Sequence, residues 1–165
     1  MSRPGTVQLG LILLIAVAEP LVSQNQAPNM TDSRRSANAT IAYVNRQFGF
    51  RFSLPADWKG YTVVMSQWSA DRALAGVRGP ILSLRNPHWT QANPWQDIPI
   101  MIFTPSQWSY VSDGRASVSP APYDPGEIGR NKKYVFAIPP RYNLDEDPGY
   151  REVIEILNGH PLHPF

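Results

Sequence analysis

Apolar and polar residues alternate between Gln47 and Leu54. Phe48, Phe50, Phe52 and Leu54 fall on one side of an extended chain, and Gln47, Gly49, Arg51 and Ser53 on the other. A period of two marks a strand buried on one face. Ile41 to Val44 lies close enough before it to pair as a hairpin, and Asp57-Trp58-Lys59-Gly60 turns the chain after it. Pro55 ends the strand, because proline cannot donate to the ladder. The pattern predicts further strands over Tyr61–Trp68 and Ile81–Leu84, with a loop from Ser69 to Gly79 between them. Ile98–Phe103 differs, since Ile98, Ile100 and Ile102 are opposed by Met101 and Phe103; Tyr134–Ile138 is likewise apolar on both sides. Such runs suit central strands covered on both faces. Arg115–Ala121 reads as an edge strand.

Punctuation predicts two helices. Thr104-Pro105-Ser106-Gln107 is a capping box with proline at the first helical position, so a short helix should run to about Val111 and finish near Gly114. Asp147 as N-cap, Pro148 in the first turn and Asn158-Gly159 as C-cap bracket a second helix. Tyr150, Val153, Ile154 and Leu157 share its apolar face, while Arg151, Glu152 and Glu155 face out. Strands outnumber helices and short turns join them. The fold class expected is α+β: a mostly antiparallel sheet with a short middle helix and a C-terminal helix packed on it. Phe50, Phe52, Trp58, Ile100, Ile102, Phe136, Val153 and Leu157 are the expected core.

Upstream the pattern changes. Leu9–Ala18 is one apolar run, with Arg3 before it and Ala16-Val17-Ala18 before Glu19. That is the order of a secretory signal peptide with its cleavage site. A membrane-spanning helix needs about 20 apolar residues, and Glu19-Pro20 ends this run well short of that. Retention of residues 9–18 as an anchor is the alternative. Residues 19–40 are polar, rich in Ser, Asn, Gln and Ala, and read as a disordered tether. The organisation expected is therefore a signal peptide over 1–18, a tether over 19–40 and a single α+β domain over 41–165. Export to the periplasm or extracellular space follows. Asn29-Met30-Thr31 and Asn38-Ala39-Thr40 fit the glycosylation pattern, which is short enough to arise by chance.

Composition removes several classes of function. The 165 residues include no cysteine, which excludes a disulfide framework, a zinc–thiolate site and a cysteine nucleophile. Lys and Arg total 15 against 13 Asp and Glu, and loss of Arg3 with the signal leaves 14 against 13. That balance gives no electrostatic case for nucleic acid or for an anionic membrane. The 17 prolines are dispersed and serve as loop punctuation.

Nucleophile-elbow, zincin and phosphate-loop motifs do not occur in the chain. The loop Arg85–Asp97 carries the clearest candidate chemistry, with Trp89, Trp95 and His88 among several amide side chains. Aromatics beside hydrogen-bonding groups suit a ligand surface, so Arg85, His88, Trp89, Asn93 and Trp95 are the candidate ligand-binding residues. The competing reading has both tryptophans holding the loop down on the sheet. His160 and His163 offer a metal set with His88, but His-Pro-Leu-His-Pro reads better as a tail without regular structure. Asn143, Asp145 and Asp147 alternate like the start of a calcium loop, yet Gly149 comes one place late and Ile154 stands where a bidentate Glu belongs. Acids before a helix are explained by its dipole alone. Arg130, Lys132 and Lys133 cluster beside Asn131 and read as a solvated turn before a strand. Asp57, Asp97 and Glu127 are carboxylates whose pairing spacing alone does not test. No catalytic residue, metal ligand or cofactor is assigned.

Tyr43-Val44-Asn45, Phe48-Gly49-Phe50-Arg51-Phe52-Ser53-Leu54-Pro55 and Trp58 together resemble the opening hairpin of PsbP/Mog1-like domains. Gly79-Pro80, Asn86-Pro87-x-Trp89, Gln96-Asp97-Ile98-Pro99-Ile100-Met101 and Gly129-Arg130-Asn131-x-Lys133-Tyr134-Val135-Phe136-Ala137 extend the pattern. Over residues 41–165 it is similar to a family of uncharacterised bacterial exported proteins. The PsbP/Mog1 resemblance implies an α-β-α sandwich used for binding and assembly, and brings no catalytic residues. The function expected is a non-catalytic exported domain that binds a protein or a cell-envelope component. The alternative is a small exported hydrolase using carboxylates or His88. Nucleic acid is not an expected partner, and a membrane is one only if the N-terminal segment stays as an anchor.

Overall fold

The computed structural model describes residues 39–71, 76–118, 124–140 and 147–165. The segment expected as signal peptide, the expected tether up to residue 38, the Asn29-Met30-Thr31 sequon, Asn38 of the second sequon and the Asn143 and Asp145 positions lie outside the described residues.

The alternating segment forms β2 (Phe50–Pro55), which pairs antiparallel with β1 (Thr40–Asn45). In the turn between them Asn45 Oδ1 accepts from the Phe48 amide at 2.9 Å. Gly49 has φ 73°, and a Cβ there would lie 2.8 Å from the Phe165 carbonyl oxygen, so both conformation and space call for glycine. A 3-10 turn, Ala56–Trp58, leads into β3 (Thr62–Ser69) and β4 (Arg78–Arg85). β5 (Ile98–Phe103), α1 (Pro105–Ser112), β6 (Gly126–Arg130), β7 (Val135–Ile138), α2 (Tyr150–Asn158) and β8 (Leu162–Pro164) follow. The strands form two antiparallel sheets, ordered β1-β2-β8 and β3-β4-β5-β7-β6. The class is α+β.

Two clusters of buried side chains explain this division. Phe50, Phe52 and Leu54 of β2 meet Leu82, Leu84, Ile98, Ile100, Ile102 and Phe136 of the larger sheet, with Val153 and Ile156 of α2 in the same cluster. On the other face of the larger sheet Met101, Phe103, Val135 and Ala137 pack with Trp68 and with Val111 of α1; Trp108 lies against them. Residues alternating along β5 therefore serve different cores, as a strand apolar on both sides requires. Each fully buried Phe or Ile contributes roughly 1.5–3 kcal/mol. Trp58, 1% exposed, donates from Nε1 to Glu152 Oε1 at 2.9 Å and ties the 3-10 turn to α2. Tyr61 packs edge-on to Tyr43 at 6.1 Å. Burial, then the neighbouring Tyr43, pushes its phenol pKa up.

Trp68 sits opposite Gly79 in the β3–β4 register. Its indole donates to the Ile102 carbonyl at 3.0 Å and stacks on Phe103 with centroids 4.5 Å apart. Only a residue without Cβ fits beneath it, because a Cβ at position 79 would lie 2.5 Å from the indole.

The capping box before α1 forms with both arms in place. Elsewhere the structure corrects the sequence reading. Residues 115–118 are not a strand, and 119–121 of that expected strand lie outside the described residues; β6 forms one edge of the larger sheet, and its Gly-Glu-Ile-Gly-Arg composition and irregularity between Glu127 and Gly129 hide its period. α2 begins at Tyr150, capped by Gly149 at φ 81°, and not after Asp147, whose carbonyl accepts from the Tyr150 amide in a preceding turn. Within α2, Ile156 is buried and Leu157 only half-buried. The His160–Pro164 segment is no irregular tail. Leu162, His163 and Pro164 pair with Phe52, Arg51 and Phe50. The segment lies at the sheet's edge, where a proline without N–H is tolerated.

Candidate functional site

The Arg85–Asp97 loop joins β4 to β5 and is closed at its root by one carboxylate. Asp97 accepts from Arg85 Nε at 3.2 Å and from the Asn86 amide at 3.1 Å, so both ends of the loop meet on a single side chain. Asn86 is 2% exposed. Its Oδ1 accepts from the His88 amide at 2.8 Å and its carbonyl from the Trp89 amide at 3.0 Å, which forces the chain to turn back over the root. Thr90 and Asn93 then exchange backbone hydrogen bonds of 3.1 and 3.2 Å, and Thr90 Oγ1 also accepts from the Asn93 amide. The returning limb docks on the approach to α2. The Gln96 amide donates to the Pro148 carbonyl at 2.8 Å, and a Cβ at Gly149 would lie 2.9 Å from the Trp95 ring.

This frame sets the aromatic side chains. The Arg85 guanidinium lies 3.9 Å from the Trp89 ring centroid, and the His88 ring lies 4.9 Å from that of Trp95 at a tilt of 46°. A cation over a partly exposed indole is worth about 0.5–1 kcal/mol. Arg85 makes that contact while also pairing with Asp97, a combination that a planar guanidinium allows and a lysine ammonium does not. Both indoles are half-buried; His88 and Asn93 are exposed. The indoles brace the loop while part of their surface stays exposed. The five candidate residues thus lie on one connected loop. Asn86, Asp97 and Gly149 are positioning residues, a role the sequence does not reveal; it offers Asp97 only as a carboxylate of untested pairing. Their signal is weak, because each acts only through a partner distant in sequence or through the backbone.

No family model, curated protein or solved structure matches this chain.

The other candidate chemistry is dispersed. Among the described residues no three His, Asp or Glu side chains gather closely enough to hold a metal ion, so His88, His160 and His163 do not assemble as a ligand set. Asp97 and Glu127 are each paired with an arginine, Arg85 and Arg130 respectively, and Asp57 is exposed in the 3-10 turn. Hydrogen bonding to Glu127, then its charge, raises the Arg130 pKa.

Proposed function

We propose that this chain is an exported recognition domain that binds a protein or cell-envelope partner through the Arg85–Asp97 loop. The observation that carries the reading is the pair of half-buried indoles, each buttressed by a neighbouring side chain above a root closed by Asp97. Ordering a loop before its partner arrives lowers the conformational cost of binding. Tryptophan and arginine are the side chains that most often dominate interface energetics, and loops on a rigid sheet are their usual location. Export is supported by the order of Arg3, Leu9–Ala18 and Ala16-Val17-Ala18. The alternative, a hydrolase using carboxylates or His88, has less support, since Asp97 and Glu127 are paired with arginines and the His88 ring lies against Trp95.

The test is capture from the envelope fraction of the producing cells by wild type, Trp89→Ala and Trp95→Ala, with thermal stability measured in parallel. The recognition reading expects capture to fall about tenfold or more, equivalent to roughly 1.4 kcal/mol, with a small change in melting temperature. A variant that is strongly destabilised, yet whose folded fraction captures the partner at full affinity, would refute it.

A further inference from the structure

The β1–β2 turn and the turn joining β6 to β7 are stitched together by one side chain. Asn131 Nδ2 donates to the Phe48 and Gly49 carbonyls at 2.9 and 3.0 Å, and its Oδ1 accepts from the Lys133 and Tyr134 amides, both at 2.9 Å. Every strong hydrogen-bonding capacity of that amide is used, so the two turns are held in fixed relation. Between them lies an open cleft of about 510 Å³, to which Arg46, Lys132, Lys133, Phe48, Tyr134 and Phe165 contribute. Phe48 and Tyr134 meet edge to face at 5.3 Å, and Phe165 is 66% exposed.

The side chains of the cleft carry charge of one sign. Arg46, Lys132 and Lys133 are exposed, and among the described residues none of them is in an ion pair and no Asp or Glu side chain lines the space; the main-chain oxygen of Phe165 beside Gly49 is the acceptor at its rim. Arg130, the next cation along, is engaged by Glu127 and takes no part. Cations of one sign around a concave surface concentrate anions there, and the aromatic wall favours a flat apolar body beside the charge. The volume falls within the roughly 300–1,000 Å³ usual for small-molecule sites.

We propose that this cleft binds a small aryl anion. The charged head lies among Arg46, Lys132 and Lys133, and the ring lies against Phe48, Tyr134 and Phe165. The cleft shares no residue with the Arg85–Asp97 loop, so the proposal stands or falls independently of the partner reading.

Phenyl phosphate is the probe, titrated into the full chain at low ionic strength and followed by amide NMR shifts. Inorganic phosphate and benzyl alcohol serve as its separate halves. Saturable shifts are expected at Gly49, Lys132, Lys133 and Tyr134, with affinity about tenfold or more above either half. The double variant Lys132→Gln/Lys133→Gln should weaken binding about tenfold without moving the melting temperature, because both side chains are exposed. Lys132→Arg/Lys133→Arg should retain it. Inorganic phosphate binding as tightly as phenyl phosphate would reduce the cleft to unspecific charge and overturn the proposal. Benzyl alcohol binding equally well, shifts scattered over other surfaces, or full affinity in the glutamine variant would each do the same.

Discussion

Replacing Gly79 by alanine adds one methyl group beneath the Trp68 indole, where the new carbon would lie 2.5 Å from the ring. The ring has little room to retreat. Its Nε1 is bonded to the Ile102 carbonyl, its face stacks on Phe103, and it is 3% exposed. Overpacking of this kind costs about 1–3 kcal/mol. Loss of the indole hydrogen bond adds about 1 kcal/mol. Against this, alanine restricts the unfolded chain and returns about 0.4–1 kcal/mol. The net expectation is a loss of about 1–3 kcal/mol, or a melting temperature lower by roughly 3–12 °C for a domain of this size. Gly126→Ala is the matched control. Gly126 also lies in a strand, a Cβ there meets nothing within 4 Å, and its φ is ordinary. That variant should be neutral or more stable by about 0.4–1 kcal/mol. Urea unfolding followed by circular dichroism and tryptophan fluorescence measures both. A double-mutant cycle with Trp68→Phe should show coupling, since a smaller ring relieves the clash. If Gly79→Ala and Gly126→Ala unfold at the same urea concentration, the argument that Trp68 is fixed in place fails.

Two further outcomes are expected. Phe52, fully buried between the two sheets, should cost about 3–5 kcal/mol when replaced by alanine; a loss under about 1 kcal/mol in denaturant melts would contradict its place in the core. Tyr61 has its phenol pKa raised above the ordinary 10.0 by burial and by Tyr43, so the fold favours the neutral form. Its contribution is complete below pH 10 and is lost as pH rises through the higher folded-state value. Tyr61→Phe should therefore flatten the alkaline limb of a stability–pH curve, and an unchanged limb would remove Tyr61 from the account.

What the sequence disclosed was what local chemistry decides. The alternation of β2, the two-sided apolar runs of β5 and β7 and the capping box of α1 each need only neighbouring residues, and all appear in the structure. β8 was illegible because its prolines argue against a strand until β2 offers an edge for it. The start of α2 was misplaced because Gly149 is required by the nearby Trp95 ring as well as by its own φ, and that contact crosses from one loop to another. Within the candidate site, the residue types of Arg85, His88, Trp89 and Trp95 were visible, but the pairing of Arg85 with Trp89 and of His88 with Trp95 was not. Division of the strands into two sheets escaped notice for a related reason: periodicity says which face of a strand is buried, not what covers it.

The order of strands in the smaller sheet has a consequence for how the molecule comes into being. β1 and β2 can meet as soon as their hairpin is made, but β2 waits for a neighbour roughly 110 residues further along, Phe52 pairing with Leu162. Until then Phe50 and Phe52 lack Leu162 beside them, and the core lacks Val153 and Ile156 from the helix just before it. Closing so long a loop delays this core, whereas the cluster on the other face of the larger sheet needs only residues 68 to 137. The smaller sheet and the core between the two sheets are therefore the last parts of the molecule to be completed, after the larger sheet has its first strands.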